Sequence, residues 1–320
     1  MSAAPYYTDI ADGPPAQADW RITKDGKRLR LAHWKGGSNG TVLLFQGRTE
    51  YIEKYGAVAE TLSKLGYSLV TCDWRGQGLS PRYGRHYQIG DVGSFSEYQL
   101  DVDALLAYAE EKELPKPYFL LAHSLGGAIG LRALHNGLDV AGAVFSAPMW
   151  GIQIPKLMAP FANMIVGAYR GLGIEDHLAP GRQLTNYAER QPFAGNALTR
   201  DYETYDRLRT QTVARPQLGL GGPSVNWIDL ALKEIFSLRS LEAPKVPCLT
   251  LYAGAEQIVD NRAIEETMAH WSDGKAVRCE DAEHEVMMEK PETRSLVWSE
   301  ISAFLAAHPA ANGAKMSKAS

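Results

Sequence analysis

The chain has 320 residues, of which 45% are hydrophobic and 22% are charged, and its formal net charge is −4. This length suits one large α/β domain with an insertion, and the slightly acidic balance gives no electrostatic basis for binding nucleic acid. Three widely spaced cysteines, Cys72, Cys248 and Cys279, show no CxxC spacing, so we expect reduced core residues rather than disulfides or a zinc site.

The N-terminal segment, residues 1–18, is predicted to be a loose leader. It is rich in Ala, Pro and Asp, and it lacks the basic segment and apolar stretch of a secretion signal. No apolar run elsewhere in the sequence approaches the ~20 residues that span a bilayer. We therefore expect a cytoplasmic protein whose membrane contact, if it makes one, is peripheral.

The next residues predict an α/β fold that begins with an antiparallel hairpin. Polarity alternates over 20–23 and 28–34 around an Asp-Gly turn, which is typical of a hairpin. Apolar strands then alternate with helical segments: strands over 41–45, 67–72, 118–121 and 140–146, and helices over 52–65, 95–113 and about 125–136. This alternation predicts a mostly parallel sheet with helices on both faces.

The alternation stops near Pro148 and resumes after Pro244. Residues 149–243 are helical and loop-rich in pattern, with apolar faces at 154–161 and 164–166, and we interpret them as an inserted helical cap. The remaining predicted elements are a strand at 248–252, a helix at 261–271, a short strand around 277–279 and a helix at 291–307. The core is thus predicted to comprise 19–148 and 244–308, followed by a disordered polar tail, 309–320.

The candidate nucleophile is Ser124, which lies at a predicted sharp turn between a strand and a helix. Such a turn needs small residues two positions before and after the serine, and Ala122 and Gly126 meet that need. The usual pattern has glycine at both positions. A serine that merely caps the helix would fit the same local pattern, so the interpretation depends on a base, an acid and an oxyanion site elsewhere in the chain.

A base and two candidate acids follow in the order that this fold demands. His284 lies in a polar loop after the last short strand, while Glu256 and Asp260 follow the strand that ends near Tyr252. All lie where the carboxyl ends of parallel strands meet. We favour Glu256 as the acid because it falls on the first turn after its strand, whereas Asp260 can cap the following helix.

Two backbone N–H groups are predicted to stabilise the oxyanion of an acyl-transfer reaction. One belongs to Leu125, which follows the nucleophile, and the other to Arg48, in the loop after the 41–45 strand. The Arg48 side chain itself could be a solvated cation. The remaining histidines show no metal-ligand spacing, so we expect neither a metal nor a cofactor.

These motifs resemble the α/β-hydrolase superfamily, and within it the bacterial lysophospholipase and monoacylglycerol lipase branch of serine aminopeptidase S33-like hydrolases. The resemblance covers almost the whole chain and is carried by residues 45–51, 73–80, 122–129 and 146–149 and by the Glu256 and His284 loops. The form AHSLGGA at the turn together with DWRGQGLS upstream is more specific than the serine turn alone. The family pattern usually has His-Gly where this chain has Gln46-Gly47, and often Asp where it has Glu256.

The resemblance implies an α/β-hydrolase fold and a Ser124–His284–acid hydrolase acting on a glycerol ester with one long acyl chain. The cap would then line an acyl channel or rest on a bilayer, or its helices would simply pack on the core. A short-chain esterase or thioesterase, and a non-catalytic ligand-binding homologue, are the alternatives. No nucleic-acid partner is expected.

Overall fold

The computed structural model describes residues 2–153 and 162–309. Within these residues nine strands form a single sheet: β1 (Ser2–Ala3), β2 (Gln17–Ile22), β3 (Arg28–Trp34), β4 (Gly40–Phe45), β5 (Tyr67–Cys72), β6 (Tyr118–His123), β7 (Ala143–Ser146), β8 (Cys248–Ala253) and β9 (Gly274–Cys279).

Nine α-helices lie in the same described ranges: α1 (Gly56–Lys64), α2 (Glu97–Glu111), α3 (Leu125–His135), α4 (Ala162–Gly171), α5 (Tyr187–Arg190), α6 (Tyr202–Ala214), α7 (Val225–Arg239), α8 (Asn261–Ala269) and α9 (Pro291–Ala307). Short 3-10 helices cover Ile52–Tyr55 and Val286–Met288. None of the helices in the described ranges is long and apolar enough to cross a membrane.

The sheet is antiparallel at its N-terminal edge and parallel beyond it. The spatial order is β1-β2-β3-β5-β4-β6-β7-β8-β9. Strands β1, β2, β3 and β5 pair antiparallel, and all later pairings are parallel. The predicted fold class, an α/β-hydrolase fold with an inserted helical segment, is confirmed.

Helices cover both faces of the sheet, which explains the continuous apolar runs of the central strands. On one face Leu105 of α2 and Ile129 of α3 pack with Phe45, and on the other Leu62 of α1 and Ile301 of α9 are fully or almost fully buried. Every residue of β4, β5, β6, β7 and β8 is buried. The sheet is therefore a rigid platform for the loops at its carboxyl edge.

Predicted and observed elements agree most closely where a strand or helix is apolar on the side that faces the core. The last helix has the predicted bounds, Pro291–Ala307. By contrast, β9 begins at Gly274, earlier than the sequence indicates. It is an edge strand with mostly exposed side chains, and such a strand lacks the apolar run that would reveal its full length.

The prediction of a loose leader over residues 1–18 differs from the structure. Strand β1 pairs with β2. Core side chains hold the carbonyls of this segment, since Arg30 donates to the oxygen of Pro5 at 3.1 Å and Trp34 to that of Pro14 at 2.8 Å. Side chains of the segment take part as well, since Asp9 pairs with Arg215 and Asp12 pairs with Arg207. Composition could not show this, because all of these partners lie outside the segment.

The segment between β7 and β8 holds helices α4 to α7, and none of its described residues belongs to the main sheet. Isolated bridges join it to the core at Gly90–Pro223 and Ile152–Val259. These observations agree with the proposed cap at 149–243, whose bounds stay a prediction. The predicted apolar face 154–161, and the tail from 310 onward, lie outside the described residues.

Crowding between β4 and α3 generates a stability prediction at Gly126. A Cβ added there would overlap the carbonyl oxygen of Phe45, whereas Gly167 in α4 has open space around it. We expect Gly126→Ala to destabilise the fold by about 2 kcal/mol, as overpacking a core does, and Gly167→Ala to be neutral or slightly stabilising. Chemical denaturation measures both, and equal stability of the two variants would contradict the account.

Candidate active site

Ser124 connects β6 to α3 in a strained backbone conformation. Its φ is +50° and its ψ is −117°, in a region that residues other than glycine rarely adopt. Its N–H donates to the oxygen of Ser146 at 3.1 Å, and its own carbonyl accepts from Gly127 and Met149, each at 2.8 Å. These bonds hold the serine hydroxyl at the carboxyl edge of the sheet, as the predicted turn requires.

His284 lies on the loop after β9 and reaches this serine across the edge of the sheet. Its Nε2 is 2.9 Å from the Oγ of Ser124, and the residue is only 4% exposed. The loop is anchored on the inserted segment, because the N–H groups of His284 and Glu285 donate to the carbonyls of Ala197 and Leu198. The inserted segment therefore helps to position the imidazole.

Glu256 follows β8 and contacts the other side of the imidazole ring. Its Oε2 is 2.8 Å from Nδ1 of His284, and its Oε1 accepts from the N–H groups of Ile258 at 2.7 Å and Val259 at 3.1 Å. With the Nδ1 proton directed at the carboxylate, Nε2 is left as an acceptor for the serine hydroxyl. The arrangement is that of a nucleophile, a base and an orienting acid.

The electrostatics of the site stabilise the charged forms of both Glu256 and His284. Burial alone would raise the pKa of Glu256, but the nearby imidazole and two backbone N–H groups outweigh it and lower that pKa. Burial would likewise lower the pKa of His284, but the charges of Glu256, Glu285 and Glu50 prevail and raise it. The site therefore stabilises the imidazolium that forms when the imidazole accepts a proton.

Asp260, the alternative acid, occupies a different position. It is the N-cap of α8, and its carboxylate accepts from the N–H of Arg262 at 3.0 Å. The structure thus brings together Ser124, His284 and Glu256 and gives Asp260 a helix-capping role.

The two predicted oxyanion donors follow neighbouring strands, since Arg48 comes after β4 and Leu125 begins α3. Within the described residues, no hydrogen bond from either backbone N–H to an acceptor of the protein is found. Both donors thus remain available to a substrate oxygen.

The Arg48 side chain is not a solvated cation. Its guanidinium lies 5.1 Å from the centre of the Trp227 ring and donates to the oxygen of Gly221 at 3.0 Å. Burial lowers the pKa of this group to about 10. Arg48 therefore ties the oxyanion loop to the inserted segment.

The motif at residues 73–80 has a structural role. Its loop supports the loop after β4, which carries Arg48, one of the predicted oxyanion donors. The Gln77 amide donates to the carbonyls of Gly47 at 2.8 Å and Glu50 at 3.1 Å. Glu50 in turn accepts from the N–H of Gly47. In the position where the family usually has histidine, Gln46 donates to Thr71 at 3.0 Å and is fully buried, so it serves the sheet rather than the reaction centre.

Sequence reasoning missed Glu289, which organises the His284 loop. Its carboxylate is fully buried and accepts from the N–H groups of Glu283 at 2.7 Å and Arg200 at 3.1 Å. It joins the loop of the candidate base to the inserted segment. The only signal in the sequence is an acid five residues after His284.

Among the described residues, Glu50, His123 and Glu285 form a group of metal-type side chains whose ligand atoms lie within 4.8 Å of one another. The ammonium of Lys54 already contacts both carboxylates. This arrangement favours a charged hydrogen-bond network over a metal site.

The fold and site together define an α/β-hydrolase with a serine-centred site. The model of the family described as "Serine aminopeptidase, S33" matches residues 36–291. The chain belongs to this family, and the resemblance predicted from its motifs is confirmed.

Known proteins of this branch are similar to this chain, one of them over most of its length and another over less than half. Lysophospholipase L2 of Escherichia coli is 31% identical over 302 residues, which cover 89% of this chain and 85% of that protein. Monoglyceride lipase of Rattus norvegicus is 29% identical over 134 residues, which cover 40% of this chain and 42% of that protein.

The fold is shared with solved structures. A soluble variant of monoglyceride lipase from Saccharomyces cerevisiae, in complex with a substrate analog, gives a TM-score of 0.71 at 20% identity, covering 96% of this chain and 99% of that one. The monoacylglycerol lipase of Paleococcus ferrophilus gives a TM-score of 0.65 at 23% identity, and the match covers 88% of this chain and 99% of that one.

The two acids can be separated by substitution. Glu256→Gln keeps the shape but removes the charge that orients and stabilises the imidazole, and we expect kcat/KM to fall by about 10³- to 10⁴-fold. Asp260→Asn keeps a good helix cap and is expected to lose less than about tenfold. Hydrolysis of a nitrophenyl ester measures both, and a larger loss for Asp260→Asn would identify it as the acid instead.

The raised pKa of His284 gives a prediction of pH dependence. The imidazole must be neutral to accept the serine proton, so kcat/KM should be retained above that pKa and lost as the pH falls through it. We expect the midpoint of this acid limb to lie above about 6.5, the ordinary histidine value. A profile of kcat/KM against pH measures the midpoint, and a value clearly below 6.5 would contradict the prediction.

Proposed function

We propose that this chain is a serine hydrolase that cleaves the carboxylic ester of a single-acyl glycerolipid, a lysophospholipid or a monoacylglycerol, through an acyl-enzyme intermediate. The observation that carries the proposal is the continuous hydrogen-bonded line from Glu256 through His284 to Ser124 at a strained turn. A serine hydroxyl needs such a base and orienting acid to become a nucleophile.

In the first half of the reaction, the Oγ of Ser124 attacks the ester carbonyl while Nε2 of His284 takes its proton. Glu256 stabilises the resulting imidazolium at 2.8 Å. The negative charge that develops on the carbonyl oxygen is met by the N–H groups of Arg48 and Leu125. His284 then protonates the leaving glycerol oxygen, and the acyl group stays on Ser124.

The second half repeats these roles with water as the nucleophile. His284 takes a proton from water, which attacks the acyl-serine ester, and then returns a proton to Ser124 as the fatty acid leaves. The same two N–H groups serve both halves. The cycle consumes one water and leaves the protein unchanged.

The substrate class rests on the relatives and on the inserted segment beside the site. The relatives are named for lysophospholipids and monoglycerides. The segment begins next to the acid, since Gln153 donates to the carbonyls of Glu256 and Val259. Further along it, Met164 and Leu172 are 64% and 72% exposed. These side chains support peripheral contact of the segment with a lipid surface.

The proposal is tested with Ser124→Ala and His284→Ala on a lysophospholipid, a monoacylglycerol and a series of nitrophenyl esters of increasing acyl length. We expect both variants to lose at least about 10⁴-fold in kcat and the wild type to prefer long single acyl chains. His270→Ala is the matched control, because His270 is exposed at the end of α8, and it should retain full activity.

Each alternative has its own outcome. Equal turnover by wild type, Ser124→Ala and His284→Ala would contradict the mechanism. A preference for short acyl chains would support a short-chain esterase instead, and absence of turnover on every ester would support a non-catalytic homologue.

A further inference from the structure

A buried cluster of charged side chains lies directly behind the proposed base. We call Glu50, Lys54, His123 and Glu285 the buried charge cluster; each side chain is at most 6% exposed. The Nζ of Lys54 is 2.6 Å from the Oε1 of Glu285 and also donates to Glu50. The hydroxyl of Tyr55 donates to Glu50 as well.

The two ring nitrogens of His123 face opposite surroundings. Its Nδ1 is 3.0 Å from the carbonyl oxygen of Ser146, so Nδ1 carries a proton and donates there. Its Nε2 is 3.5 Å from Oε1 of Glu50 and 3.4 Å from Oε2 of Glu285. This Nε2 is fully buried and makes no hydrogen bond to any donor or acceptor among the described residues, so its interaction with the two carboxylates is electrostatic.

A neutral His123 would point a lone pair at two carboxylates, which is repulsive in a buried site. A protonated ring would instead direct an N–H and a positive charge at them. The geometry therefore favours the imidazolium.

The sum of charges in the buried charge cluster also favours the imidazolium form of His123. Two carboxylates and one ammonium leave a net charge of −1, and an imidazolium at His123 brings the net charge to zero. An uncompensated charge is costly to bury, and the low exposure of all four side chains makes that cost relevant here.

The cluster acts on His284 because the two imidazole rings are in contact. Their centroids are 4.9 Å apart. The groups that face His284 are Ser124 and Glu256 on its reactive side and Glu50, Glu285 and His123 behind it. Any change in the net charge of the cluster therefore changes the stability of the His284 imidazolium.

We propose that His123 is a positioning residue that works through His284: it carries the proton that neutralises the buried charge cluster and thereby sets the pH at which His284 can accept the proton of Ser124. This inference rests on the proposed function, because it assigns a role relative to the base of that reaction. If His123 only packed against the turn at Ser124, replacing it would not change the pH at which His284 accepts a proton.

The test compares the acid limb of the kcat/KM profile in wild type, His123→Asn, Glu285→Gln and the double variant. Asn still donates to Ser146 but leaves the cluster at −1, so the midpoint should rise by roughly one pH unit. In Glu285→Gln the ammonium of Lys54 alone balances Glu50, so by the same charge argument His123 gives up its proton, the cluster stays neutral and the midpoint should stay near that of wild type. The double variant is neutral as well, so the rise seen in His123→Asn alone should be abolished.

Asp281→Asn is the matched control, because Asp281 lies on the same loop with a side chain that is 92% exposed. Solvent screens its charge, and no shift of the midpoint is expected. Merely structural roles would lower activity in each single variant and lower it further in the double variant without moving the midpoint. No rise of the midpoint in His123→Asn, or a rise that persists in the double variant, would overturn the inference.

A second readout does not depend on turnover. In histidine-labelled protein, the NMR signals lost in His123→Asn should report a ring that is protonated on both nitrogens under the conditions of the turnover assay. A neutral ring under those conditions would overturn the inference even if Ser124→Ala abolishes hydrolysis, in which case the proposed function stands. If wild type hydrolyses no ester, the proposed function fails while the NMR measurement still decides the state of His123.

Discussion

The site depends on the close approach of two backbones at the carboxyl ends of β4 and β6. Gly126 lies against the carbonyl of Phe45 with no room for a side chain. This contact allows α3 to begin directly after Ser124, whose φ is +50° and whose hydroxyl lies 2.9 Å from Nε2 of His284. The same contact brings the N–H of Leu125 beside the loop of Arg48. A local steric constraint thus positions both the proposed nucleophile and the proposed oxyanion donors.

Around that turn, buried charged side chains form two groups that meet at His284. Glu256 orients the reactive side of the ring and favours its charged form. Behind the ring, Lys54 pairs with both Glu50 and Glu285. Charges at such low exposure interact strongly with their neighbours, so the reactivity of one imidazole depends on residues from four separate parts of the chain.

Much of this arrangement follows from sequence patterns, and the rest depends on how loops fold. The central strands could be predicted because two-sided burial demands continuous apolar runs, and Ser124 and His284 followed from the order of the motifs. The choice between Glu256 and Asp260 depends on which acid caps α8. The two acids are four residues apart, so the path of the loop between β8 and α8 decides which one reaches His284. The buried charge cluster joins Lys54 to Glu285 across 231 positions, and the leader is held by core side chains and by arginines of the inserted segment. Neither leaves a local pattern.

The central claim is that Ser124 is the nucleophile, and covalent trapping tests it most directly. The full chain is incubated with a fluorophosphonate, digested and mapped by mass spectrometry. The account predicts a single adduct on the peptide that contains Ser124, no adduct in Ser124→Ala and strongly slowed labelling in His284→Ala. An adduct on another residue, or unmodified Ser124 in protein that still hydrolyses esters, would contradict it.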